Sequence, residues 1–302
     1  MIVKLNYKLI SFLCAVLVVA GACFLFEPRD AAQASGKETS SAEPKTAEEG
    51  VQVPIVMYHH MLKEKKRLGA YVVSPEEFES DVKYLKDQGF TTVVVEDLIH
   101  YVNQGTPLPQ KPVMITFDDG YESTYEYALP ILKKYNAKAV VSVVGAYSDL
   151  YSGNVQKNIS YSYMTWEQVK EMQQSGFVEI QNHSYDMHEQ KGPRHGARMV
   201  KGETVEEYKQ ALQDDLMLTQ EKIKQATGKA PTCFTYPFGY IAKHSEEIIK
   251  ELGFQASLSC ASGISRVKQG DPDSLFSLKR YNRVHGGTTE SFFKKAFQNL
   301  EV

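Results

Sequence analysis

Hydrophobic and polar positions alternate along this chain in a recurring order. Ser74-Pro75-Glu76-Glu77 reads as a helix start, with Ser at the N-cap, Pro at the first helical position and Glu at the third. Phe78, Val82 and Leu85 then repeat at i, i+4 and i+7, which puts them on one helical face. Gly89 stops the helix, and the run from Phe90 to Val95 is β-rich. The order returns twice. A helix from Thr165 ends at Gly176 before a strand from Phe177, and a helix from about Ser245 ends at Gly253 before a strand from Phe254. Tyr135-Asn136 takes the glycine's place before the strand Lys138–Val144, because Asn also tolerates the left-handed conformation. Val205, Tyr208, Leu212, Leu216, Thr219 and Ile223 mark a further amphipathic helix that ends near Gly228.

Helices alternating with strands predict a parallel sheet. Continuous apolar runs such as Ala139–Val144 suit strands covered on both faces. The predicted fold is α/β, a distorted (β/α) barrel of about seven parallel strands in a single domain over 51–302; a doubly wound open sheet is the alternative. In either architecture the chemistry belongs at the C-terminal ends of the strands.

The first fifty residues follow a different pattern. Lys4 and Lys8 precede an apolar run from Leu9 to Phe26, and Ala32-Gln33-Ala34 offers a small-x-small cleavage site. Residues 1–34 therefore read as a signal peptide or, uncleaved, as an N-terminal membrane anchor that would associate the protein with a membrane. Lipidation at Cys23 is a third option. Residues 35–50 have no large apolar side chains and form a disordered linker. All three options place the folded part outside the cytoplasm, as an extracellular or cell-surface protein.

Net charge is −3 and no basic stripe stands out, which argues against nucleic acid. Nothing in the pattern calls for more than a monomer. Two of the four cysteines lie in the export segment, so Cys233 and Cys260 are left either as free thiols or as one bridge.

The polar residues at predicted strand ends carry the chemistry. They are Tyr58-His59-His60, Asp118-Asp119, His183 with His188, and Tyr236-Pro237-Phe238-Gly239. Two imidazoles and a carboxylate make an open divalent-metal site, with Asp119, His183 and His188 as ligands. The two histidines are five apart, so a bent loop must bring them together. A cation beside Asp119 lets Asp118 stay ionised and act as base. Zinc is the default metal, and cobalt or nickel would also suit this ligand set.

"TFDDG", "NHSYDMH" and "TYPFG", in that order, resemble the polysaccharide deacetylases of carbohydrate esterase family 4, and "VPIVMYHH" resembles the poly-N-acetylglucosamine deacetylase branch. The resemblance covers 51–302. It implies a metal-dependent hydrolase that removes acetyl groups from an N-acetylglucosamine polymer, either poly-β-1,6-N-acetylglucosamine or peptidoglycan. It also implies Asp118 as general base, His59 as general acid, and the Phe238 amide as oxyanion donor. Three departures stand out. Thr235 occupies a place where family members commonly have Arg, the histidine gap is five rather than four, and no late Leu-x-His occurs, since His285 sits in "RVHGGTT". Arg280 is the candidate to supply the missing guanidinium beside Asp118. Tyr236, Tyr185 and Trp166 are candidates for sugar contact, and the 186–204 loop either borders the groove or is a solvated insertion. His60, next to His59, must face the other way on a strand. The rival readings are a non-catalytic carbohydrate-binding protein on the same barrel and a metallopeptidase; the chain has no H-E-x-x-H.

Overall fold

The computed structural model describes residues 50–153 and 155–301. The export segment and nearly all of the linker lie outside the described residues.

Seven parallel strands form the main sheet. In chain order they are β1 (Ile55–Tyr58), β3 (Pro112–Phe117), β4 (Ala139–Val143), β5 (Val178–Asn182), β6 (Cys233–Thr235), β7 (Ala256–Leu258) and β8 (Tyr281–Asn282). The short β2 (Thr91–Thr92) pairs with the start of β3. Across the sheet the order is β7-β6-β5-β4-β3-β1-β8. The sheet curls until its edges nearly meet: Leu278, just ahead of β8, makes a parallel bridge with Leu258 of β7. This is the distorted barrel that the pattern predicts.

Local chemistry explains the repeated unit. α1 (Pro75–Asp87), α5 (Trp166–Gln174) and α6 (Val205–Thr227) each begin in a capping box, made by Ser74 with Glu77, Thr165 with Gln168, and Thr204 with Glu207. At the exits of α1 and α7 (Ser245–Glu251) the chain turns through Gly89 and Gly253 at positive φ, and Asn136 does the same after α3 (Leu129–Tyr135) at φ 50°. The next apolar residue then folds back. Phe90 donates to Leu85, Ala137 to Leu132 and Phe254 to Ile249, at 2.9, 2.9 and 3.0 Å. The α1 face packs Phe78, Val82 and Leu85 into the core beside Tyr58 and Phe117, each burial contributing about 2 kcal/mol.

One boundary differs from the sequence expectation. The β-rich run at 90–95 yields only Thr91–Thr92, because Asp97 accepts the Val94 N–H at 2.9 Å and starts α2 (Val95–Gln104). Beyond Gly120, Tyr121 is bridged to Tyr163 and the chain passes through a π-helical turn, Thr124–Ala128, into α3. Among the described residues no helix is long and apolar enough to cross a membrane.

Side chains of a strand alternate between faces, so every second residue points into the barrel. Ile55, Met114, Val140, Cys233, Ala256 and Leu258 fill its lower part. One step higher the inward positions turn polar. Thr235 and Ser142 share a hydrogen bond at 2.7 Å, and Thr116 meets Arg280. One step higher again come His59, Asp118 and His183, at the carboxyl ends of β1, β3 and β5.

Candidate metal centre

At the end of β3 the backbone leaves ordinary strand geometry. Asp118 still belongs to the sheet, its N–H donating to Tyr58 O at 3.0 Å. Asp119 then adopts φ 70°, a left-handed conformation uncommon for a residue with a side chain, and Gly120 follows at φ 78°. A Cβ on Gly120 would come within 3.0 Å of Val143. This turn aims Asp118 and Asp119, though adjacent, at different partners.

Asp118 faces Arg280. The pair is bidentate, Nη1 to Oδ1 at 2.7 Å and Nη2 to Oδ2 at 2.8 Å, and both residues are buried. Arg280 Nε donates to Ser259 O at 2.7 Å and Nη1 to Thr116 Oγ1 at 3.2 Å. Burial pushes the Asp118 carboxyl up; the Arg280 charge more than offsets this and holds it below its usual range. Arg280 thus fills the place where Thr235 stands in for an arginine. Thr235 helps in another way, its carbonyl accepting a hydrogen bond from His183 Nδ1 at 2.7 Å.

Asp119 faces the two histidines. Its Oδ1 lies 3.3 Å from His183 Nε2 and 3.0 Å from His188 Nε2, and the ligand atoms of all three residues lie within 4.8 Å of one another. Oδ1 is buried and has no well-aligned hydrogen-bond partner despite those distances. A carbonyl can only accept, so His183 Nδ1 carries a proton, and in the neutral form of the ring the Nε2 lone pair faces the carboxylate. Two electron-rich atoms face each other there, an arrangement that a cation between them resolves. The donor set, His₂Asp, is that of an open divalent-metal site.

The five-residue histidine gap is bridged by a locked loop. Ser184 takes φ 85°, and Asn182 Oδ1 accepts its N–H at 2.8 Å. Asp215 of α6 accepts the N–H groups of Tyr185 and Asp186 at 2.7 and 2.8 Å. Asn182 and Asp215 are positioning residues that the sequence reading missed; a carboxylate 29 positions downstream carries no local signal.

His59 points into the same cavity, edge-on to Tyr71 at 4.9 Å, with Nδ1 buried and unpartnered. Burial pushes its pKa down against the pull of Asp118 and Asp119. His60 turns the other way. Its Nδ1 meets Ser123 Oγ at 2.7 Å, its Nε2 meets Ser160 O at 3.3 Å, and its ring stacks on Tyr121.

Phe238 sits in the 3₁₀ turn Pro237–Gly239 at φ 58°, its ring 4.5 Å from that of His188. Gly239 is obligatory: an added Cβ would meet Cys260 Cβ at 2.6 Å. Cys233 and Cys260 are both free thiols.

Met57, His59, Asp118, Asp119, His183, His188, Phe238 and Cys260 line a cavity of about 480 Å³, the size of a small-molecule site. Tyr71, Tyr121, Tyr240, Gln190 and Asn282 complete the wall. The three aromatics that could have contacted sugar pack elsewhere instead. Tyr236 is fully buried against Phe234, on the outward face of β6. Tyr185 and Trp166 both bond to Asp149, at 2.8 and 2.7 Å, and neither lines the cavity. The loop at 186–204 borders the cavity through Gln190.

The polysaccharide deacetylase family model matches residues 105–257, half of the chain. YxkH of Bacillus subtilis (strain 168) is 27% identical over 274 residues, 90% of this chain and 86% of that protein. The poly-beta-1,6-N-acetyl-D-glucosamine N-deacetylase of Escherichia coli (strain K12) is 26% identical over 62% of this chain; the match spans 31% of that enzyme's length. Among solved structures, the de-N-acetylase of Aggregatibacter actinomycetemcomitans is 26% identical, with a TM-score of 0.68 over 81% of this chain and 99% of that one.

Proposed function

The chain belongs to the polysaccharide deacetylase family, and from that premise we propose that it is a metal-dependent hydrolase that removes N-acetyl groups from an N-acetylglucosamine-containing polysaccharide. The single observation that carries the metal dependence is the orphaned Oδ1 of Asp119 facing two imidazole nitrogens. Poly-β-1,6-N-acetylglucosamine is the first substrate to test, on the name of the E. coli relative, and peptidoglycan N-acetylglucosamine is the second. The apolar segment near the N-terminus supports action outside the cytoplasm.

Asp119, His183 and His188 would hold the metal. A divalent cation there, zinc by default, polarises an amide carbonyl and acidifies a water. Asp118, fixed by Arg280 and ionised at neutral pH, accepts the proton of the attacking water. The Phe238 backbone N–H, presented by the strained turn, supports the oxyanion as it forms. His59 stands in the same cavity to deliver a proton to the departing sugar nitrogen. Burial lowers its pKa, which eases release of that proton to the leaving group. The products are acetate and a free amine on the polymer. The intact set of base, ligands and candidate acid supports this reading over a binding protein that has lost activity.

The test is acetate release from N-acetylglucosamine polymers with and without chelator, repeated with Asp118→Asn. Loss in both arms, with recovery on adding zinc to the wild type, is the expected result. Undiminished release in either arm would refute the mechanism.

A further inference from the structure

Two basic loops flank the mouth of the cavity, and the fold makes little use of their charge. The first, 62–71, leaves β1 beside His59 and ends at Tyr71, which lines the cavity. It carries Lys65, Lys66 and Arg67, all exposed. Arg67 is tied down through Nη2 to Ser160 O at 3.3 Å. The second, 189–204, follows the metal-ligand loop. It is seated on the Phe238 turn, where a Cβ on Gly196 would meet Pro237 O at 3.0 Å, and Tyr208 Oη donates to Ala197 O at 2.6 Å. It presents Lys191, Arg198 and Lys201, also exposed. The Arg198 guanidinium lies 3.7 Å from the ring centroid of Tyr240, another lining residue, and so projects its charge over the rim. In the sheet, β3 and β4 separate the two strands, β1 and β5, from which these loops come.

Among the described residues, Lys65, Lys191 and Lys201 have no ion-pair partner, and Lys66 has only Glu64 at 3.1 Å. Glu64, Glu189 and Glu203 offset part of the charge, and Arg194 engages Glu203. Both loops keep a positive balance in a chain whose net charge is −3. Cations on both sides of a cleft focus the field along it and raise the local concentration of a polyanion.

We propose that the substrate is an acidic polysaccharide, one with carboxylate or phosphate groups near its N-acetylated sugars, and that these loops grip the chain on either side of the reacting residue. The inference rests on the deacetylase reading above and narrows its substrate class. A neutral N-acetylglucosamine homopolymer gains nothing from the six cations, and its deacetylated product would be repelled by them.

The test measures acetate release by the full-length metal-loaded protein from three soluble glycans: a neutral β-1,6-N-acetylglucosamine oligomer, a carboxylate-bearing N-acetylated glycan and a phosphate-bearing one. Each is assayed in low and in high sodium chloride, since screening shortens the reach of exposed charge from about 10 Å at 0.1 M to about 3 Å at 1 M. The expected result is a KM at least about fivefold lower for an acidic glycan at low salt, with the advantage gone at high salt. K65Q/K66Q and K191Q/K201Q should raise the acidic-glycan KM severalfold, leaving kcat and the neutral-glycan KM unchanged. The more responsive of the two acidic glycans identifies the group. Equal KM and equal salt response on all three glycans overturns this inference alone. Acetate release from none of them, in metal-loaded protein, overturns the deacetylase reading together with it. Variants that lose binding to vesicles of phosphatidylcholine and phosphatidylglycerol (roughly 7:3) but keep every glycan KM would assign the charge to a membrane surface, and would also overturn it.

Discussion

Replacing Arg280 with Met tests the buried pair behind the site. Arg280 is fully buried, and its guanidinium makes two short bonds to Asp118 and one each to Ser259 O and Thr116 Oγ1. Met keeps much of the volume and none of the charge. It leaves a buried carboxylate without its counter-ion, a loss of about 3–5 kcal/mol, and strips the Ser259 carbonyl of a donor at about 1–3 kcal/mol more. Against a domain stability of about 5–15 kcal/mol this is a large fraction. Asp118→Asn alone strands the guanidinium and is also costly. The double variant strands neither charge, so it should be more stable than the two single losses sum to, by about 1–3 kcal/mol. Urea unfolding followed by circular dichroism in chelated protein measures all four corners of the cycle without a contribution from bound metal. Arg280→Lys should recover part of the stability and little of kcat, because an ammonium cannot make the two-pronged contact that orients Asp118. Additive losses, or an R280M protein within about 1 kcal/mol of wild type, would show that the guanidinium is not the counter-ion on which the buried carboxylate depends.

His59 and His60 should part company on substitution. H59A should lower kcat by about 10²–10⁴ with zinc affinity retained in calorimetry, whereas H60Q should keep kcat within about threefold and cost about 1–3 kcal/mol through its lost bonds to Ser123 and Ser160. Glu179, at the lower end of the barrel, is pushed up to about 7, mainly by burial. The native state then binds the extra proton between about pH 4.5 and 7, so ionisation removes about 3 kcal/mol as pH rises through that window. E179Q should be little different from wild type near pH 4.5 and more stable by pH 8; parallel thermal melts across that range would refute the assignment.

Much of the barrel was legible because its signals are local. A capping box, an apolar face at i, i+4, i+7 and a left-handed stop at Gly or Asn each need only one turn of chain. The end of β2 was misread because the carboxylate of Asp97 reaches back to Val94 and starts a helix inside a β-branched run. The facing of His59 and His60 follows from the two-residue period of a strand. Tyr236 was legible only as a choice between sugar contact and packing, and alternation along β6, which sends Thr235 inward and Tyr236 outward into the core, decides for packing. Tyr71, Tyr121 and Tyr240 went unseen as wall residues, since what places them is proximity in the fold rather than any pattern along the sequence.

The guanidinium that steadies Asp118 is encoded 162 positions after it. Synthesis from the N-terminus therefore delivers the base and all three prospective ligands long before the group that sets the base's orientation and charge. Asp118 gains this counter-ion only once the segment that carries Arg280 has docked beside β1 and β7.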